Sequence, residues 1–496
     1  MSKFSMRIAG AVAASALTIA CTGFAGAQEI GGETIPQPAT LEQANLVNND
    51  ANVSLTIQKY LGDPGQTDTP LGGVQFRIER INGVNLSTQE GWKKAAELKA
   101  ETANDFTEVA TVTTGNDGTV TLRTEDNEDF TVGLYKITEL QKEGYTAAAP
   151  FLVALPHSEN GQWSYSQTVK PKNQKITPTK QVKDTGVTVG DNLTYTVNAP
   201  VPAGALTRFN VEDPLVVGLT YVADSAKISL AGDTTSTALA AEDYTISNEG
   251  NTLRVNFTDA GRAKLETARK SSPALKVLVE FQATVSEQAI NAQGQITNTA
   301  TIELPNDAMV DTNGDDPATE QVENNPTATT FGTLTITKTT TNGDKSLNGA
   351  EFELYQCTVN EGKGTLVGQA LNVKPAGQDK RTIATTAGGD AQGGNATATI
   401  SNIPLSSFAA GTGVEAIQYC VLETKAPEGY VRNPEPQVVT AVEGQARQLA
   451  VSVDNQKNSV LGQLPATGAW GIVLVFLLGL LLLARGLYTS YQDSRA

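Results

Sequence analysis

Three lysines in this 496-residue chain fall where a strand would turn them inward, and each has an acid and an asparagine to meet there. In Leu334-Thr-Ile-Thr-Lys338 the two-residue period puts Leu334, Ile336 and Lys338 on one face. Glu423 shares a face with Tyr419 and Val421, and Asn455 with Leu449, Val451 and Val453. Lys180 aligns in the same way with Ile176, Pro178 and Val182, Asp213 with Phe209 and Val211, and Asn298 with Ile296 and Ala300. The third set is Lys59 beside Leu55 and Ile57, Glu139 beside Tyr135 and Ile137, and Asn173 beside Val169 and Pro171. Inward polar residues from separate strands are costly unless they meet. Burial drives a lysine toward its neutral amine and a carboxylate toward its acid form. A neutral amine beside a carboxamide polarised by a carboxylic acid is set up for nucleophilic attack. The product is a Lys–Asn isopeptide bond with loss of ammonia, so Glu423, Asp213 and Glu139 become the catalytic acids of a self-directed reaction. Lys183 competes with Lys180 as nucleophile, but its parity is wrong.

Strands must carry these residues, and the chain is written in strands. Short apolar-alternating stretches bounded by Gly, Pro, Asn and Asp recur along its length, as in all-β sandwiches. Val53 to Lys59 and Gly332 to Lys338 open two units of nearly the same pattern, each followed by a Gly-rich turn and a strand ending in Phe76 or Phe352. Each unit later shows a Tyr-x-x-x-Glu strand and a Gly-Tyr turn, Tyr135 to Glu139 with Gly144-Tyr145 and Tyr419 to Glu423 with Gly429-Tyr430. This is a divergent internal repeat, with a longer middle unit from about Ile176 to Asn325. Two short helices read as insertions, Thr88 to Glu101 and Asp259 to Arg269, the second amphipathic through Ala263 and Leu265. The expected fold is all-β, three tandem immunoglobulin-like β-sandwich domains with short helical insertions.

Both termini carry processing signals. Lys3 and Arg7 precede an apolar stretch from Ile8 to Ala20, and Ala25-Gly26-Ala27 offers the small residues of a signal peptidase site. Residues 1–27 are then a signal peptide, Cys21 is discarded, and the mature chain starts near Gln28. At the other end Leu464-Pro465-Ala466-Thr467-Gly468 runs straight into an apolar span, 469–487, and a tail, 488–496, that holds Arg495. That span is just long enough to cross a bilayer, and Arg485 and Arg495 favour a cytoplasmic C-terminus. The pentapeptide resembles the LPxTG sorting signal of Gram-positive surface proteins. In that family sortase cuts between Thr and Gly and joins the Thr carboxyl to an amine. The net charge of −17 argues against nucleic acid and anionic membrane surfaces as partners. The single histidine, His157, supports no His-based triad or His-rich metal site. Asp311-Thr-Asn313-Gly-Asp315-Asp316 clusters oxygens, but its Gly is misplaced for an EF-hand loop and no Glu closes it; it reads as a solvated acidic loop. No metal and no cofactor are expected.

Tyr419-Cys-Val-Leu-Glu423-Thr-Lys-Ala426-Pro427-Glu-Gly429-Tyr430 resembles the E-box of Gram-positive pilins, and its unit resembles a collagen-adhesin B-type domain, a family that forms isopeptide bonds. Ile296-Thr-Asn298-Thr-Ala300 is similar to the closing strand of pilin middle domains, while the first unit's E-box lacks the Ala-Pro step. Trp163 to Asn173 resembles the pilin motif, whose last Lys supplies the amine for polymerisation. Here that is Lys172, with Gln167 and Lys170 as departures and Lys170 as a competing amine; parity puts both lysines on the outward face opposite Asn173. Cys357 and Cys420 are the two mature cysteines, and an isolated pair outside the cell is a disulfide rather than a metal or redox site. Both oppose their strands' core residues, so the bridge is expected on the outer face of the last domain, where such disulfides are familiar in actinobacterial shaft pilins.

The resemblance spans the chain and implies a shaft (backbone) pilin of a sortase-assembled pilus. Its expected parts are domains at 28–173, 174–330 and 331–460 and a sorting signal at 461–468. A pilus-specific sortase would join Thr467 of one subunit to Lys172 of another, a heterologous contact that builds a filament. The implied partners are that sortase and the housekeeping sortase, identical subunits, tip and basal pilins, peptidoglycan and a host receptor. The place is the cell surface. The implied protein is a sortase substrate that supports adhesion, not an enzyme. A wall-anchored monomeric adhesin and an accessory pilin are the rival readings.

Overall fold

A computed structural model describes residues 46–63, 69–159, 162–312, 328–341, 345–373, 383–390, 394–405, 408–409, 412–413, 417–445, 447–458 and 475–485. The expected signal peptide, the Leu464–Gly468 signal, most of the acidic loop and the ends of the expected span lie outside these residues. Residues 475–485 are helical, and no helix among the described residues is long and apolar enough to cross a membrane.

Nearly all the other regular elements are strands, in sheets gathered around three main cores. In the first, alternation turns Leu55 and Ile57 of strand Ser54–Gln58 inward against Phe76, Ile78, Tyr135 and Ile137. Strand Ser54–Gln58 lies between Thr119–Arg123, antiparallel, and Ser166–Val169, parallel. The facing sheet orders Phe106–Thr113, Gln75–Ile81, Gly133–Glu139 and Phe151–Leu155. The middle unit is two five-stranded sheets over one large core. The last unit repeats the first, with Ala328–Thr339 running parallel to the closing strand Gln448–Asp454 and Glu351–Asn360 pairing with Tyr419–Lys425 opposite.

Both insertions are helices, with corrected bounds. Helix Gln89–Glu97 is capped by Thr88, whose hydroxyl accepts from Gly91 N. It ends four residues earlier than expected because Leu98 is already extended. Its Trp92 stacks on Trp163, ring centroids 5.1 Å apart, over a satellite core that includes Leu134 and Ala154. Helix Asp259–Ser271 buries Gly261, Leu265 and Ala268, one stripe at spacings of four and three. Ala263 is exposed, contrary to the sequence reading, since two residues from Gly261 is the opposite side of a helix.

The units are not simply strung together. Strand Ala328–Thr339 starts before the expected border at 330/331 and first pairs antiparallel with Gln295–Thr297 of the middle unit, Ile296 opposite Thr329. The same strand then becomes the opening strand of the last unit. The middle core also takes in Ala147 from the first unit, whose carbonyl accepts from Asn306 Nδ2 at 2.7 Å. Arg269 adds a second tie across that junction, to Asp63 at 3.2 Å.

Candidate functional site

The first set closes completely. Parallel pairing puts Tyr60 opposite Lys172 and Leu61 opposite Asn173, so Lys59 and Asn173 project into one space from neighbouring strands. Lys59 Nζ donates to Glu139 Oε2 at 2.6 Å and to Asn173 Oδ1 at 2.7 Å. Asn173 Nδ2 donates to Glu139 Oε1 at 2.5 Å, and the Ala148 amide adds a bond to Oε2 at 3.2 Å. All three side chains are buried. Desolvation lowers the Lys59 pKa, against the pull of the Glu139 carboxylate.

The last set repeats this register. Lys338 stands opposite Val453, so Asn455 lies two residues further on, as Asn173 does relative to Lys59. Asn455 Nδ2 donates to Glu423 Oε1 at 2.8 Å, and the Asn433 amide donates to Oε2 at 2.7 Å. Lys338 Nζ is 4.0 Å from Glu423 and donates to Val453 O at 2.5 Å, while the buried Asn455 Oδ1 has no partner among the described residues. Burial lowers the Lys338 pKa to about 8, with Glu423 and then Asp454 opposing, and burial raises that of Glu423.

The turn after each E-box glutamate has a definite use. Tyr145 bridges to Lys175 and Tyr430 to Lys457, in each case two residues beyond the asparagine of the set. The chain is thereby folded back so that Ala148 N or Asn433 N reaches the acid. The degenerate first E-box still makes the bridge and the amide contact without the Ala-Pro step.

The middle set is looser. Lys180 Nζ is paired with Asp213 Oδ2, both buried. Asn298 is buried too, yet neither atom of its carboxamide closes a hydrogen bond among the described residues, and Asp213 Oδ1 is also unpartnered. Burial lowers the Lys180 pKa to about 8 and raises that of Asp213, with Lys180 pulling the latter back. Lys183, the competing nucleophile, is exposed at its strand end.

A buried amine with a depressed pKa leaves a signature. An Asn455→Ala chain keeps Lys338 unreacted, and its folded pKa of about 8 lies below the unfolded 10.5. Between those values the unfolded state binds more protons, so stability rises with pH. The last domain of Asn455→Ala is expected to gain stability from about pH 8 to 10.5 relative to Lys338→Met/Asn455→Ala, read by urea unfolding at several pH values. A flat difference would show that Lys338 is not desolvated.

Cys357 and Cys420 form a disulfide across adjacent strands, Cα atoms 5.8 Å apart. The bridge, expected on the outer face of the sheet, is nonetheless shielded from solvent: Cys420 is 0% exposed and Cys357 7%. The outer face of the sheet is covered there by Gly364 of strand Lys363–Val367, where a Cβ would stand 2.2 Å from Cys420 Sγ. Of the pilin-motif lysines, both expected to face outward, only Lys172 differs from expectation. Lys170 is exposed, whereas Lys172 is fully buried. Pro171 interrupts the strand: Ser166–Val169 pairs with Ser54–Gln58, while Lys172–Asn173 pairs with Tyr60–Leu61. The register is the same on both sides of Pro171, so both lysines keep the outward parity, and the burial of Lys172 comes from what packs over that face.

Sequence reasoning missed the groups that surround the amines. Phe76 lies 5.6 Å from Lys59 Nζ, and Tyr195 and Phe281 lie 4.7 and 5.6 Å from Lys180 Nζ, measured to ring centroids. Their inward parity was a usable signal. The Ala148 and Asn433 amides had none.

Residues 42–174 match the family "Gram-positive pilin subunit D1, N-terminal domain", and residues 332–457 match the SpaA family, described as a prealbumin-like fold domain. Fimbrial subunit type 1 of Actinomyces viscosus is 30% identical over 98% of this chain and 96% of its own length. The chain belongs to the Gram-positive fimbrial subunits. Fimbrial subunit type 2 of Actinomyces naeslundii is likewise 30% identical, with the same coverage. Among solved structures, the full-length major pilin SpaD of Corynebacterium diphtheriae superposes with a TM-score of 0.61 at 27% identity, over 84% of this chain and all of that one. The major pilin SpaA of the same organism gives 0.58 at 25%, over 82% of this chain and all of that one. This fimbrial subunit is thus a shaft-type pilin of the cell surface, a structural protein and not an enzyme. Its all-β architecture of tandem domains is that of the family.

Proposed function

We propose that this shaft subunit is polymerised covalently, Thr467 of one copy joined to Lys172 of the next, after a pilus-specific sortase cleaves Leu464-Pro465-Ala466-Thr467-Gly468. One donor and one acceptor on different parts of the subunit give a head-to-tail, non-closing contact, which is a filament. Within each subunit three Lys–Asn bonds form, Lys59–Asn173 through Glu139, Lys180–Asn298 through Asp213 and Lys338–Asn455 through Glu423. The observation that carries this reading is the closed hydrogen-bond circuit of Lys59, Glu139 and Asn173 between the first and last strands of one domain. Such bonds let tension cross a domain without unfolding it. The domains are taken as 28–173, 174–330 and 331–460, with Ala328–Thr339 shared across the second border. Tip and basal pilins, peptidoglycan reached through the housekeeping sortase, and a host receptor complete the proposed partners.

Expression with the cognate sortase is expected to give a high-mass ladder on denaturing gels, lost on Thr467→Ala. A single wall-linked band from the wild-type chain would favour the monomeric adhesin. Intact mass of the secreted chain is expected to fall short of its sequence by one ammonia per internal bond, and a mass matching the sequence would remove that part of the reading.

A further inference from the structure

The middle set differs from the other two in what its buried atoms lack. Four polar atoms there have no hydrogen-bond partner among the described residues: Asp213 Oδ1, both side-chain atoms of Asn298, and the Tyr195 hydroxyl. All three residues are at least 98% buried, and such groups rarely stay unpaired in a folded protein. The missing partners can be matched within the set. Asn298 Nδ2 is a donor and Asp213 Oδ1 an acceptor, the same acid–amide bond that is already made by Asn173 with Glu139 and by Asn455 with Glu423. That leaves one acceptor, Asn298 Oδ1, and one donor, Tyr195 O–H.

The position of Tyr195 is suited to this pairing. It stands opposite Val182 in the antiparallel pair that holds Lys180 opposite Val197, so Tyr195 and Lys180 share the inward face. Its ring centroid is 4.7 Å from Lys180 Nζ, which places the side chain against the nucleophile itself. Burial, then Asp213 and Asp184, raise its pKa, so the hydroxyl keeps its proton and remains a donor.

The other sets do not share this arrangement. In the first, the glutamate accepts from both lysine and amide, the carbonyl takes Lys59, and the ring beside that lysine is Phe76, which has no hydroxyl. Over Lys338 no ring lies among the described residues. Asp213 is one methylene shorter than a glutamate, and its Oδ2 is occupied by Lys180.

We infer that the Tyr195 hydroxyl donates to Asn298 Oδ1 and stabilises the oxyanion that forms when Lys180 attacks, making Tyr195 a catalytic residue of the middle domain's self-linking reaction. The inference rests on the Lys180–Asn298 bond proposed above. In the step, Lys180 gives one proton to Asp213 and its neutral Nζ adds to Asn298 Cγ. Charge then gathers on Oδ1, where Tyr195 meets it. The Nζ–Cγ bond is kept and the Cγ–Nδ2 bond breaks. Asp213 hands its proton to the departing nitrogen and takes the second proton of Nζ, so ammonia leaves and no outside reactant is needed.

The test follows cross-linking in the full chain made by cell-free synthesis, sampled over time and read by mass of the cross-linked peptides. Lys59–Asn173 and Lys338–Asn455 serve as clocks in the same molecules. Tyr195→Phe keeps the ring and removes the hydroxyl, and is expected to slow Lys180–Asn298 on the order of 10²-fold while the two clocks run at the wild-type rate. A Tyr195→Phe rate within about threefold of wild type overturns the inference, because a preorganised oxyanion donor is worth far more than that. Thr329 also has a buried, unpartnered hydroxyl, opposite Ile296. Slowing by Thr329→Val with none by Tyr195→Phe would transfer the role to Thr329 and overturn the assignment. If Tyr195→Phe fails to fold, 3,5-difluorotyrosine placed at 195 retains the shape with a stronger donor; an accelerated bond supports the inference and an unchanged one overturns it. A wild-type chain that forms both clock bonds but never Lys180–Asn298 removes the underlying reaction instead, a result distinct from every Tyr195 outcome.

Discussion

Lys59→Ala is expected to destabilise the first domain by about 4–5 kcal/mol. A Lys59–Asn173 bond would close a loop of roughly a hundred residues, and the loss of loop-closure constraint on that scale is worth ~4.7 kcal/mol on the chain-entropy estimate used for disulfides. If the bond were absent, the same substitution would still leave Glu139 buried without its amine, and breaking one side of a buried pair costs about 3–5 kcal/mol. The two mechanisms predict similar losses, so urea unfolding gives the size and intact mass gives the cause. Ammonia loss in the wild type but not at this site in Lys59→Ala identifies the covalent bond. A change below about 1 kcal/mol would contradict both mechanisms, since that is the scale of an ordinary surface pair.

Lys172→Ala is expected to abolish the ladder, with secretion and all three internal bonds intact. Its position explains both the strength and the interest of the test. Lys172 stands on the two-residue strand Lys172–Asn173, beside the asparagine of the closed set, yet its side chain is 0% exposed. The acyl-enzyme can reach that amine only after the groups packed over it move aside. Lys170, exposed two residues earlier, needs no such step. Lys170→Ala is therefore the decisive companion. A ladder that survives Lys172→Ala and disappears in Lys170→Ala would move the acceptor to Lys170.

Much of this molecule was legible before any coordinates, and the reason is local. Lys59, Lys180 and Lys338 each lie at even spacing from residues such as Ile57, Val182 and Ile336, and a strand turns residues at even spacing to the same side. Parity therefore named nine buried polar residues, and all nine are buried. The same rule does not tell what packs over the outward face. Lys172 is buried although it keeps the register of exposed Lys170, and Gly364 stands close over Cys420 on the outer face where the disulfide was expected. For helix Asp259–Ser271 the sequence placed the element but chose Ala263 as a core residue in place of Gly261 and Ala268.

Family membership was also written in the chain, in the LPATG pentapeptide, the E-box and the pilin motif, because each is a short run of fixed residues. What those runs do for one another was not. The parallel register that puts Asn173 two residues past Lys59, and Asn455 two past Lys338, joins strands more than a hundred positions apart. So does the sharing of Ala328–Thr339 between two domains, and so do the unpartnered atoms around Tyr195. The side each residue faces depends on its near neighbours, and the sequence by itself determined it. Which residue it meets depends on how distant strands align and on what packs over them, and only the tertiary structure decided that.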